Sequence, residues 1–180
     1  MINPPHMRPP KPPRSWDQRF LTIAMHVAGW SKDRGTQVGC VAVRDRRILA
    51  TGYNGLPAGV LDSEDRLESR DLKLALTVHA EMNAIAYAAR TGVCLAGSTF
   101  YIWPIMACSQ CATMLIQADV VKVIIPNFVE PQRWQDSFAQ ARQMFIEAGV
   151  AVARIPMQGP IDPAMENPED AERDLLPFPT

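Results

Sequence analysis

Apolar residues recur at Trp16, Phe20, Ile23, Val27 and Trp30, a spacing that lays them along one stripe of a helix. Ser15 and Gln18 stand three apart just before that stripe and supply a capping box for its start. Val38 to Val43 and Arg47 to Thr51 are apolar and β-branched runs around the polar turn Arg44-Asp45-Arg46, which predicts two joined strands. Gly52 to Val78 keeps no sustained period and reads as a long loop. His79 then opens an alanine-rich helical run, Ala80 to Arg90, that Thr91-Gly92 ends. A strand is expected near Thr99 to Ile102, a helix from the cysteine pair through Ala112 to Gln117, and a strand over Val120 to Ile125. Pro131 starts a helix striped by Trp134, Phe138, Ala141, Phe145 and Ala148, which Gly149 stops; Val150 to Arg154 is the last strand. Strands alternating with helices require crossover connections and predict a layered α/β fold.

Composition narrows the class. At 180 residues and 47% hydrophobic content, one domain with a real core is expected, over residues 14–154. Prolines at 4, 5, 9, 10, 12 and 13 make residues 1–13 an extended arm. Residues 155–180 read as an extended tail, proline-containing and acidic between Asp162 and Asp174. Both ends are either solvated extensions or arms packed on a neighbouring subunit, with Leu175, Leu176 and Phe178 as apolar anchors. A net charge of −1 argues against a chain built chiefly to hold duplex phosphates, so a nucleic-acid partner is not expected. No apolar run approaches the ~20 residues of a membrane span, and the N-terminus has no apolar signal core. Four cysteines give no disulfide framework, and the expected compartment is reducing cytosol.

The chemistry concentrates in His79-Ala80-Glu81 and Cys108-Ser109-Gln110-Cys111. One imidazole and two thiolates make three zinc donors and leave one tetrahedral position open, as a catalytic zinc centre requires. Cys-x-x-Cys at a helix start places both sulfurs on one face, where the helix dipole favours thiolates. Glu81 lies about 200° around the helix from His79, badly placed as a ligand but able to reach a water beside the metal. Other readings exist for these residues: a redox pair or half a structural zinc site for the cysteines, a dipole-stabilising first-turn acid for Glu81. Cys40 and Cys94 sit in apolar stretches and are expected to be buried structural thiols. His6 and His26 lack ligand-like neighbours.

The order H-x-E followed by C-x-x-C is the signature of zinc-dependent nucleobase deaminases. With Arg14-Ser15-Trp16-Asp17, Ser31-Lys32-Asp33 through Gly39, Gly52-Tyr53-Asn54-Gly55-Leu56-Pro57 and His79 through Ile85, the chain resembles the cytidine and deoxycytidylate deaminase superfamily, closest to the deoxycytidylate (dCMP) branch. The likeness runs from about residue 14 to residue 125. Two departures stand beside the cysteines: Ala107 replaces the usual proline, and the run from Tyr101 to Cys108 is one residue longer.

The resemblance implies a three-layer cytidine-deaminase-like fold with a five-stranded mixed sheet flanked by helices. It implies one Zn2+ per chain on His79, Cys108 and Cys111, and Glu81 as the proton carrier that turns dCMP, or a 5-substituted dCMP, into dUMP and ammonia. It also implies that Asn54 bonds the sugar and that the Ala80 N–H holds the base carbonyl. Asn54 is otherwise a left-handed turn residue before Gly55. Lys32, Arg34, Arg70 and Lys73 are cations available for a phosphate, and Trp103 either flanks the base pocket or belongs to the core. A homo-oligomer, often a hexamer, with dCTP and dTTP as effectors completes the expectation. Deamination of another free base, a nucleoside or a tRNA is the competing activity.

Overall fold

Ser15 caps the first helix as its sequence requires. Its Oγ accepts from the Gln18 N–H at 3.2 Å, and Gln18 Oε1 accepts from the Ser15 N–H at 3.0 Å. The computed structural model describes residues 15–157. In chain order the elements are α1 (Trp16–Ala28), β1 (Gly39–Arg44), β2 (Arg47–Tyr53), α2 (Glu64–Glu68), α3 (Arg70–Leu76), α4 (Ala80–Thr91), β3 (Thr99–Trp103), α5 (Ser109–Gln117), β4 (Lys122–Pro126), α6 (Gln135–Glu147) and β5 (Ala151–Ile155). A single 3-10 turn, Gln132–Trp134, leads into α6.

The strands form one mixed sheet in the order β2-β1-β3-β4-β5. β1 is antiparallel to both its neighbours, whereas β3, β4 and β5 run parallel. Asp45 and Arg46, at φ 51° and 61°, make the two-residue turn between β1 and β2 with the twist a hairpin needs. Alternate side chains then sort into two cores. Cys40, Ala42, Phe100, Ile102, Val123 and Ile125 meet α4, α5 and α6 on one face. Val41, Val43, Tyr101, Trp103 and Ile124 meet Phe20, Leu21, Ala24 and Val27 of α1 on the other. Helix, sheet and helices thus make the three layers expected. Phe100, Phe138 and Phe145 are fully buried, and each contributes roughly 1.5–3 kcal/mol relative to an exposed ring.

Two glycines set how closely the helices approach. A Cβ on Gly39 would lie 2.3 Å from the Ala28 N and 2.4 Å from the Ala24 O, so only glycine lets α1 sit on β1. A Cβ on Gly52 would lie 2.1 Å from the Ala80 O and 2.6 Å from the Ala84 N. Gly52 therefore seats the first turn of α4, the turn that carries Glu81, directly on β2.

Four expectations change. The stripe on α1 ends at Val27: Trp16 and Trp30 are 46% and 60% exposed, because the helix stops at Ala28 and Trp16 stands between the guanidinium groups of Arg19 and Arg46. The long loop holds α2 and α3, and neither buries a residue, so no apolar period marks them. Cys94 is exposed, since it lies in the turn after α4 rather than beneath an element. The strands β4 and β5 each begin and end slightly later than read, and Ile155 closes β5 instead of opening the tail. Met157 still packs against the α1 core, and the Pro156 carbonyl accepts from Gln18 Nε2 at 3.0 Å. The N-terminal arm and the tail from residue 158 lie outside the described residues.

Candidate active site

His79 and Cys108 are the N-cap residues of α4 and α5, and Cys111 is in the first turn of α5. The main-chain bonds Asn83 N–H to His79 O and Ala112 N–H to Cys108 O, both 2.9 Å, lock these caps. Two helix starts therefore face each other across the zinc-side core. The donor atoms of His79, Cys108 and Cys111 lie within 4.8 Å of one another, the one such group among the described residues. His79 Nδ1 is 3.5 Å from Cys108 Sγ and 3.4 Å from Cys111 Sγ. With Zn–N near 2.0–2.1 Å and Zn–S near 2.3 Å, an N and an S on one tetrahedral ion stand about 3.5 Å apart. The donor set fits zinc in chemistry and in span.

The protonation pattern follows from the same geometry. The Cys111 thiol donates to Cys108, and with the His79 contact this brings the Cys108 thiol down to about 4. Cys111 is pushed up by that bond to the Cys108 thiolate and then by burial. His79 is raised, first by its bond to Cys108. A metal arriving here displaces the Cys111 proton, which makes loading weaken as pH falls.

Glu81 stands outside the three-donor group yet beside it, 3% exposed. Burial raises its carboxyl above the usual range, while the His79 charge first, and then its own N–H and the Cys111 thiol contact, partly offset that. A buried carboxyl raised in this way is more readily protonated than an exposed one. Ala80 is fully buried at the start of α4, where first-turn N–H groups have no partner within the helix.

Asn54 is buried and braced. Its Oδ1 accepts from the Val38 N–H at 2.8 Å, and its Nδ2 donates to the Thr36 O at 2.9 Å and to Asp33 Oδ2 at 3.4 Å. It does not take the left-handed conformation; Asp45, Arg46 and Asp119 are the non-glycine residues that do among those described. Three of the four basic residues considered for a phosphate are paired with acids: Lys32 with Asp62 at 2.6 Å, Arg34 with Glu68 at 3.0 Å and Lys73 with Asp33 at 3.0 Å. Arg70 lies on α3, away from the donors in sequence and on an element with no buried residue. Lys32 and Lys73 line a recess of about 100 Å³ that none of the zinc donors reaches. Trp103 is 4% exposed in the α1-side core, on the opposite face of the sheet from the donors, so the core reading is the right one.

Two further residues had no sequence signal for a place at the site: Trp134 reads only as an apolar position of the last helix's stripe, and Arg133 lies beside it. Trp134 turns its ring edge-on to the His79 ring, centroids 6.1 Å apart at 78°, and stacks on Phe138 at 6.0 Å. Arg133 reaches the 33–38 segment that Asn54 braces, where its Nη2 donates to Thr36 Oγ1 at 3.4 Å.

Residues 14–126 match the family model described as the cytidine and deoxycytidylate deaminase zinc-binding region. A probable deoxycytidylate deaminase of Caenorhabditis elegans is 41% identical over 78% of this chain and 70% of its own. The human deoxycytidylate deaminase is 33% identical over 75% of this chain and 76% of its own. The crystal structure of dCMP deaminase from the cyanophage S-TIM5, in complex with dCMP and dUMP, superposes with a TM-score of 0.64. That pair is 27% identical, covering 83% of this chain and all of the phage protein. Sheet order, the convergence of His79 with the two sulfurs, and the length of the matched stretch agree: this chain belongs to the cytidine and deoxycytidylate deaminase family.

Proposed function

We propose that this chain hydrolyses dCMP, or a 5-substituted dCMP, to dUMP and ammonia. The observation that carries the reading is the buried Glu81 carboxyl set beside, but not within, the three-donor group. His79, Cys108 and Cys111 would hold zinc, which would supply Lewis acidity and ease loss of a proton from the attacking water. Glu81 accepts the proton of the attacking water and delivers it to ring N3, as a C–O bond forms at C4. It then takes the proton of the new C4 hydroxyl and passes it to the amino group, the C–N bond breaks as the C4 carbonyl forms, and ammonia leaves. One water is consumed for each dUMP and ammonia formed. The Ala80 N–H, one of the unpartnered donors at the start of α4, holds the base carbonyl.

Asn54 keeps the 33–38 segment in place through its amide and offers its second Oδ1 lone pair to the sugar. Arg133 is the rim cation for the 5′-phosphate, since Lys32, Arg34 and Lys73 already face carboxylates. A homo-oligomer belongs to the same reading, supported by Leu61, Leu72 and Leu74 exposed at 73%, 48% and 57% on one excursion of the chain. Among the described residues no helix is long and apolar enough to cross a membrane.

Ammonia release measured side by side from dCMP, dCTP, deoxycytidine, guanine and an RNA oligonucleotide tests the substrate. The expected result is turnover of dCMP at a kcat/KM well above all the others. A preference for guanine or for the oligonucleotide overturns the reading.

A further inference from the structure

Only two carboxylates are buried among the described residues: Glu81 at the site and Glu130, 9% exposed, which the proposed mechanism does not use. Glu130 sits in the irregular stretch between β4 and the 3-10 turn that brings Arg133 and Trp134 to the mouth of the site. Its two oxygens accept from Arg142 Nη1 of α6 at 2.7 and 3.0 Å, and one of them also accepts from Arg154 Nη2 of β5. Few main-chain bonds hold the same stretch: Asn127 N–H to Ile155 O at 3.2 Å, and Trp134 N–H to Pro131 O at 2.9 Å. A short connection so poor in backbone bonds takes its position from its side chains.

We propose that Glu130 is a positioning residue: clasped by Arg142 and Arg154, it fixes the 127–134 segment so that Trp134 walls the site beside His79. Charge-assisted bonds from two different elements triangulate the carboxylate, and their partly buried setting strengthens them over surface pairs. Pro131 follows Glu130 directly and restricts the chain that leaves the clasp. The 3-10 turn then carries Trp134 onto both Phe138 and the His79 ring. Loosening the clasp lets the tryptophan drift, and displacement of a pocket wall by about 1 Å is enough to cost rate.

This inference rests on the deaminase reading of the same site, so kinetics are followed on whichever nucleotide, nucleoside or base the wild-type chain turns over. Glu130→Gln, Trp134→Ala and the double variant are compared as zinc-loaded full-length proteins. Glu130→Gln is expected to keep the wild-type zinc content and to lower kcat/KM about tenfold, mainly through KM. In the Trp134→Ala background it is expected to lower it less than about twofold, because the two changes act through one wall. Hydrogen exchange, which needs no substrate, is expected to speed up at amides 127–134 and to stay unchanged in α4 and α5. Unchanged exchange at 127–134, unchanged kcat/KM, or equal losses in both backgrounds overturns the proposal. Should Glu130→Gln fail to fold, Arg142→Met keeps an apolar stem while removing both Nη1 contacts to Glu130, and the same readouts decide.

Discussion

In the proposed mechanism a single carboxyl outside the donor group, that of Glu81, carries the proton traffic. Glu81 is separated from His79 by one residue, so α4 turns the two side chains to different sides of its first turn. Burial holds Glu81 toward its protonated form, and the neighbouring His79 opposes that. Glu81→Gln keeps the size of the side chain and removes the exchangeable proton. It is expected to bind as much zinc as the wild type and to lose about 10²–10⁴-fold in kcat. Steady-state rates with metal analysis on the same sample decide it, and near-normal turnover refutes the assignment. His79, Cys108 and Cys111, as metal donors, were legible because short covalent spacings fix where a helix start puts its side chains. Trp134, Arg133 and Glu130 were not, because tertiary packing of a distant connection brings them to the site. Cys94 misled for a related reason: apolar neighbours in sequence do not bury a thiol that lies in a turn.

Helices and strands that press an apolar face on the sheet were read close to their true bounds. α2 and α3 were missed because they bury nothing and leave no period to detect. The mixed five-stranded sheet was implied by the resemblance; its two cores arise from alternation along β1 and β3, where Cys40 and Ile102 point one way and Val41 and Tyr101 the other. What alternation does not reveal is the close approach of α4 to β2 at Gly52. A methyl group there meets main-chain atoms, which yield only if strand and helix part. Gly52→Ala is therefore expected to destabilise the chain by about 3 kcal/mol, near the upper end of ordinary overpacking. Urea unfolding measures this as a lowered midpoint. A midpoint equal to that of the wild type contradicts the packing described.

Taken whole, the molecule gives each face of one sheet a separate task. α1 and its core, with Tyr101 donating to Asp17 at 2.8 Å, brace the back of the sheet. α4 and α5 point their starts at one another on the front, where α6 and the 3-10 turn close the side. The fold thus brings one nitrogen and two sulfurs into a span that suits zinc, with the buried Glu81 carboxyl nearby. Returning zinc stepwise to chelator-stripped protein while following dUMP formation from dCMP tests this most directly. Turnover is expected to be absent without metal, to rise linearly with zinc, and to level off at one ion per chain. Deamination by the stripped protein, or metal-replete protein inert toward dCMP, contradicts the account.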